Sequence, residues 1–303
     1  MTRELVVLGT AAQAPTRTRN HNGYFLRWDA DGFLFDPGEG TQRQMLLAGV
    51  SASSVSRICL THTHGDHCLG LPGVVQRMGL DGLERAVALH YPAEGEQHVD
   101  ALLSASSYVP VTPLERHPVH ESGAVASGTD WTLSAALLDH RVPAVGYRLE
   151  EPDGIRMLPE RLEEYGIRGP DVGRLVRDGS LTVEGRRVRV DEVSEPRAGQ
   201  SFAFVMDTRW CEAAVTLSRD VDMLVCESTF LDRDRELADR YRHLTARQAG
   251  LLADRAGVRT LVLTHFSQRY GDDSTPFLEE ASEVFAETIA ADDLQRVPLP
   301  KRR

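Results

Sequence analysis

Four side chains able to bind a metal fall within six consecutive positions of Thr61-His62-Thr63-His64-Gly65-Asp66-His67. Four polar groups this close cannot all be buried without partners, because each unpaired group costs roughly 2–7 kcal/mol. Gly65 lets the backbone turn so that its neighbours converge. Neutral imidazole and carboxylate both suit a zinc ion. A lone histidine is more often structural, but this density points to a metal centre. Two divalent ions need more ligands than four, and three strand-like runs end on candidates. His140 ends Leu137-Leu138-Asp139-His140, Asp207 ends Phe204-Val205-Met206-Asp207, and His265 ends Leu261-Val262-Leu263-Thr264-His265. Clefts at strand ends are where α/β sheets bind ligands, and side chains there are rigidly held.

The elements that must hold these groups are short apolar runs rich in Val, Leu, Ile and Phe. They read as strands at 5–9, 24–28, 32–36, 57–61, 86–91, 131–138, 145–149, 201–207, 222–227 and 260–265. Helical spacing lies at 41–47, 71–78, 94–107, 245–256 and 276–289. The alternation predicts an α/β protein with sheets covered by helices. One stretch, 150–185, is dense in charge, Gly and Pro, has little to bury, and reads as an excursion from the body. The tail after Ala291 is expected to fray.

The chain has 303 residues, 41% of them hydrophobic and 26% charged, which suits one large or two small domains. Its apolar runs are too short to cross a bilayer, and its start does not read as a signal peptide. Cys59, Cys68, Cys211 and Cys226 are scattered singly, as expected of reduced thiols in a cytosolic protein. The net charge of −11 is unusual for a nucleic-acid protein, and two divalent ions would move it by four, to −7. Lys301 is the sole lysine. The basic groups are therefore arginines, whose forks match phosphate oxygens.

The order His-x-His-x-Asp-His, followed by His140, Asp207 and His265, resembles the metallo-β-lactamase superfamily. Further matches look like ribonuclease Z within it, along nearly the whole chain. They include Pro15-Thr16-Arg17-Thr18-Arg19-Asn20, Leu34-Phe35-Asp36-Pro37-Gly38-Glu39-Gly40-Thr41-Gln42, Asp207-Thr208-Arg209, Glu227-Ser228-Thr229-Phe230, His243-Leu244-Thr245 and Thr264-His265-Phe266-Ser267-Gln268-Arg269-Tyr270. The resemblance implies an α/β fold, the αββα four-layer sandwich, as a single domain over 1–303 with a flexible arm at about 150–185.

It also implies two Zn²⁺ per subunit. His62, His64 and His140 would hold one, Asp66, His67 and His265 the other, and Asp207 would bridge. The implied activity is endonucleolytic removal of the 3′ trailer of precursor tRNA by a cytoplasmic homodimer, leaving a 3′-hydroxyl. Asp66 would act as base, and His243, oriented by Glu227, would protonate the departing oxygen. Arg19, Asn20, Ser267 and Arg269, with Arg168 and Arg174 of the arm, are the candidate substrate contacts. The sequence departs from the family pattern at Arg168-Gly169-Pro170, one proline short, at His21-Asn22, and at Cys226. A hydrolase of a small phosphodiester, sulfate ester or lactone would use the same ligands but need no arm. A non-catalytic RNA-binding subunit would have lost ligands, and a redox diiron protein would be expected to carry a Glu where His64 stands.

Overall fold

Leu5 and Val7 of the strand Arg3–Gly9 point into one buried layer, and Val6 and Leu8 point into another. Phe33, Leu34 and Phe35 alternate in the same way, as do Phe202, Ala203, Phe204 and Val205. Strands buried on both faces read as unbroken apolar runs, which is why periodicity alone does not tell them from helices. The computed structural model describes residues 3–302, and within them these runs form two seven-stranded sheets.

The first sheet has the order Arg296–Pro298, Arg3–Gly9, Gly23–Trp28, Asp31–Phe35, Arg57–Cys59, Val87–Pro92, Leu114–Val119. The second runs Thr288–Ala290, Thr260–Thr264, Met223–Glu227, Ser201–Val205, Ala144–Glu150, Thr132–Leu138, Gly123–Ser127. Their facing sides share one core, in which Phe35 stacks on Phe204 with centroids 4.8 Å apart. The helices Thr41–Leu47, Leu71–Leu80 and Glu96–Leu103 lie on the outer side of the first sheet. Glu212–Leu217, Ala246–Ala256 and Thr275–Ser282 cover the second. This is the αββα sandwich expected of the family.

Hydrogen bonds between the sheets set their strand ends against each other. The Tyr147 hydroxyl donates to the Leu60 carbonyl at 2.8 Å, and the Val145 amide donates to the Thr61 carbonyl at 2.9 Å. Tyr24 bridges Asn22 and Thr264, each at 2.7 Å. The backbone just before His62 and just before His265 is thereby held.

Several expectations are corrected. The helix read at 276–289 ends at Ser282, and Thr288–Ala290 becomes an edge strand beside Leu261–Leu263. β-branched Thr288 and Ile289 pair there, and that pairing overrides the helical spacing. Within the described residues the tail is held, not frayed: Arg296–Pro298 pairs antiparallel with Glu4–Val6, and Val297 is buried, while Arg303 lies outside the described residues. The helix read at 94–107 is shorter, Glu96–Leu103, entered through the turn Ala93–Gly95. Strands Leu114–Val119 and Gly123–Ser127 were not foreseen, because they are largely exposed edges without apolar alternation.

The chain divides into two compact units, with Glu150–Gln200 in the second. Taken by itself, that unit is folded. Gly154–Met157 pairs with Ser194–Arg197, and Ser180–Val183 pairs with Arg186–Arg189 across a Glu184-Gly185 turn. Both turn residues have positive φ, 48° and 81°, as a tight hairpin requires. Helices Pro159–Glu164 and Pro170–Asp178 accompany the hairpins around a core of Ile167, Leu175, Val188 and Val193. So small a unit needs only a few apolar residues, and the expectation of little to bury is corrected by this core.

His90 lies in register between Cys59 and His117, fully buried, with its ring stacked on His117 at 4.9 Å. Neither of its nitrogens has a hydrogen-bond partner. Burial, then His117 and Arg57, push its pKa down to about 3. The unfolded chain therefore takes up a proton below about pH 6.5 that the folded chain refuses, so this stability is present above that pH and is lost as pH falls. His90→Leu should be more stable than the parent, with the margin widening by about 2 kcal/mol between pH 7.5 and pH 5. Thermal unfolding at both values checks this, and a margin that does not change with pH would contradict it.

Candidate metal centre

His62 and His64 follow the strand Arg57–Cys59, and His64 caps the short helix Gly65–Cys68 that carries Asp66 and His67. His140 follows Thr132–Leu138, Asp207 follows Ser201–Val205, and His265 follows Thr260–Thr264. All seven come together. Ligand atoms of His62, His64, His140 and Asp207 lie within 4.8 Å of one another, as do those of Asp66, His67 and His265.

Asp207 lies between the two groups. Its Oδ2 is 3.4 Å from His62 Nε2 and 3.5 Å from His140 Nε2. Its Oδ1 is 3.4 Å from His67 Nε2 and 3.2 Å from His265 Nε2, is buried, and accepts no hydrogen bond. A buried carboxylate oxygen left in this way, facing nitrogen lone pairs, fits a cation between them.

Hydrogen bonds on the outer side of each ring decide which nitrogen faces inward. His67 Nδ1–H donates to Asp36 at 2.8 Å. The Thr61 hydroxyl donates to Asp36 and so accepts from His62 Nδ1–H at 3.0 Å. The Thr229 hydroxyl donates to Glu227 at 2.5 Å and accepts from His265 Nδ1–H at 2.7 Å. His140 Nδ1–H donates to the Arg242 carbonyl at 3.1 Å. With Nδ1 so held, each ring turns Nε2 inward, where a metal ion would take the place of any proton. His64 turns in the other way, with Nδ1 2.9 Å from His62 Nε2.

Charge follows the same pattern. Burial lowers the pKa of His62, His64 and His140 and keeps them neutral. Burial opposes a proton on His67 too, but Asp207, Asp66 and Asp36 outweigh it and raise its pKa. Burial disfavours the charged form of Asp66, yet His67 and His265 beside it hold its carboxyl well below the usual range. A centre that draws positive charge this strongly suits a divalent ion.

His243 stands at the open side, its ring 5.1 Å from that of His140 and 5.5 Å from that of His265. Its Nδ1 is 3.1 Å from Glu227 Oε2. Burial disfavours its charged form, but Glu227 and Asp207 raise its pKa to about 9. Glu227 is fully buried. Burial would raise its pKa, yet His243 lowers it, while the Thr208 amide and the Thr229 hydroxyl donate to its two oxygens.

The expected substrate contacts fare unevenly. Arg19 is buried, and its guanidinium donates to Thr10, to the carbonyls of Asp272 and Ala291, and to Asp292. Its role is to brace these loops, which corrects the expectation that it meets substrate. Asn20 likewise donates to the Glu39 carbonyl at 2.8 Å. Ser267 accepts from the Arg269 amide, and the Arg269 side chain is exposed. Arg168 is exposed in the second unit, and Arg174 there pairs with Asp171. Asp36 and Thr229 orient rings of the centre, a role that the motifs containing them do not reveal. Their signal is an acid directly after one apolar run, Phe33-Leu34-Phe35-Asp36, and a hydroxyl three residues past the end of another, Met223-Leu224-Val225-Cys226.

Comparison with known proteins agrees with this geometry. The family model of the metallo-beta-lactamase superfamily matches residues 16–176. The chain is 58% identical to the ribonuclease Z of Nocardia farcinica and 57% identical to that of Streptomyces coelicolor, over 99% of each chain. Identity to the ribonuclease Z of Chlamydia pneumoniae is 42%, over 99% of this chain and 97% of the relative. Among solved structures, human tRNase Z, short form, superposes with a TM-score of 0.71 at 22% identity, covering 98% of this chain and all of that one. The metallo-beta-lactamase fold protein YhfI of Bacillus subtilis gives 0.70 at 15% identity, covering 98% of both chains.

Asp36 supports two of the ligand histidines without being a ligand. Asp36→Ala should weaken metal affinity about 10–100-fold, read by chelator competition. Unchanged affinity would mean that His67 and His62 are held without it.

Proposed function

Because the chain belongs to the metallo-β-lactamase superfamily and, within it, to the ribonuclease Z family of metal-dependent endonucleases, we propose that it removes the 3′ trailer of precursor tRNA, leaving a 3′-hydroxyl on the tRNA. The observation that carries this reading is the joint presence of the bridging Asp207 and the His243–Glu227 pair beside it. We assign two Zn²⁺ to the centre. His62, His64 and His140 would hold one and Asp66, His67 and His265 the other, with Asp207 available to both. When bound, the ions supply Lewis acidity and bring the pKa of a water at the centre to about 7.

The chain's own groups do the rest. Asp66 stays ionised, receives the Gln13 amide at 2.8 Å, and is placed to orient the attacking water and take its proton. His243 is protonated at neutral pH and gives its proton to the departing 3′ oxygen, while Glu227 holds the imidazolium in place. Ser267 and Arg269 border the loop after His265 and are assigned to the phosphate. Arg168 and Arg174, in the second unit, are assigned to the tRNA body, the unit acting as the family's arm. The free cysteines suit the cytoplasm. No helix among the described residues is long and apolar enough to cross a membrane.

We further assign a homodimer. Leu46 and Leu80, on two of the three helices outside the first sheet, are 70% and 83% exposed. Met45, Leu46, Val50 and Val74 line an apolar groove of about 300 Å³ there. Apolar surface of this kind supports a second copy as its cover. Leu46→Glu with Leu80→Glu should shift sedimentation to the monomer, and an unchanged species would place the interface elsewhere.

The central test is cleavage of a 3′-extended precursor tRNA with mapped ends, beside bis(p-nitrophenyl) phosphate. One cut at the discriminator base, lost in Asp66→Ala, is expected. Turnover of the small ester alone would favour a small-ester hydrolase. His243→Ala should lose about 10²–10⁴-fold in kcat while keeping its metal. In the parent, the rate should fall as pH rises past the point where His243 gives up its proton. Glu227→Gln should move that fall to lower pH. A descending limb that does not respond to Glu227 would remove His243 from the acid role.

A further inference from the structure

Arg242 separates the helix Arg235–Tyr241 from His243 and adopts φ 58°, ψ 54°, a left-handed conformation rare in a residue other than glycine. Strained backbone at a site persists only when its surroundings impose it. Here the surroundings are His140 and Asp139. The Arg242 carbonyl accepts from His140 Nδ1–H at 3.1 Å. Its guanidinium donates to the His140 carbonyl at 2.7 Å and to Asp139 Oδ1 at 3.1 Å. Asp139 is joined in turn to the loop of Asp207: Oδ2 accepts from Arg209 Nε at 2.6 Å, and its amide donates to the Thr208 hydroxyl at 3.1 Å.

We propose that Arg242, anchored on Asp139, is a positioning residue that fixes His243 relative to the metal ligand His140. Resting on the dizinc reading above, the inference goes beyond it by giving roles to two residues that are neither ligands nor acid. An isolated surface ion pair is worth little. This one closes a ring of reciprocal bonds around the ligand, so that the outward hydrogen bond of His140 and the backbone entering His243 come from the same residue. A planar guanidinium reaches a carbonyl and a carboxylate at once, and an ammonium on a flexible stem does not reproduce that. The guanidinium already has these partners at 42% exposure, which separates its role from that of a free phosphate contact.

The test uses purified protein carrying Arg242→Ala, Arg242→Lys, Arg242→Gly, Asp139→Asn or the Asp139→Asn/Arg242→Ala pair. Zn²⁺ affinity is read by chelator competition, and kcat and KM are read on precursor tRNA and on bis(p-nitrophenyl) phosphate. Arg242→Ala should weaken one of the two ions about 10-fold and lower kcat about 10–100-fold, with KM for tRNA unchanged. Lysine should not rescue it. Glycine, which accepts the left-handed backbone, should show the same kcat loss and so separates the guanidinium from folding. The double variant should be no worse than Arg242→Ala, because the two residues act as one unit. A raised, salt-dependent KM with kcat intact would make Arg242 an RNA contact and overturn the proposal. Lower thermal stability with kcat and Zn²⁺ affinity intact would overturn it equally. If the parent protein does not cut tRNA, the substrate reading fails, while the Zn²⁺ and small-ester measurements still decide the role of Arg242.

Discussion

Asp36, Asp207 and Glu227 are carboxylates removed from water at one place in the fold. Burying a carboxylate costs several kcal/mol unless positive charge and hydrogen bonds meet it. The imidazoles of His62, His67, His140, His243 and His265 surround these acids, and protons or metal ions supply the charge. That constraint explains why the two sheets must end at the same edge. Asp36, His62 and His67 follow strands of the first sheet, whereas His140, Asp207, Glu227 and His265 come from strands of the second. Asp207, from the second sheet, is met by His62 and His67 of the first as well as by His140 and His265 of its own.

Holding that edge together has a local consequence for the backbone. Asp36, Asp207, Arg242 and His265 all have positive φ, between 34° and 61°. Each stands where the chain leaves a strand or helix and must turn a side chain inward. The turns persist because hydrogen bonds impose them: Thr61 on Asp36, Thr229 on His265, and His140 on Arg242. Left-handed backbone also occurs at turns away from the site, at Asp29, Glu184 and Asp220 among others, but at these four positions it serves to aim groups of the centre.

Acidity and RNA chemistry are reconciled by where charge is spent. Arg19, at first sight a basic contact, is consumed by Thr10, Asp292 and two carbonyls, so it adds little to the outer field. Several arginines of the second unit are likewise paired, Arg156 with Glu195, Arg174 with Asp171 and Arg189 with Asp191. The acids of the centre need cations, and binding them removes negative charge where a phosphate must approach. Net charge over the chain therefore says less about this site than the local balance does.

The candidate metal ligands, which the fold brings together, stand out in the sequence because their types are rare and their spacing is dense, or because each ends an apolar run. Most strands of the two seven-stranded sheets were legible for the same reason: runs buried on both faces leave an unbroken apolar signature. Edge strands such as Leu114–Val119 and Arg296–Pro298 were not, since pairing on one side and exposure on the other leave no pattern. The Thr288–Ala290 strand was hidden by helical spacing that tertiary pairing overrode. What the sequence by itself determined was the inventory: five histidines and two aspartates suited to metal, and the strands that carry them. The tertiary structure alone decided which oxygen of Asp207 faces which histidines, that Arg19 is a brace, and that Asp36, Thr229 and Arg242 orient the rings. These are relations between side chains far apart in the chain, such as the 102 residues between His140 and Arg242, and local spacing does not encode them.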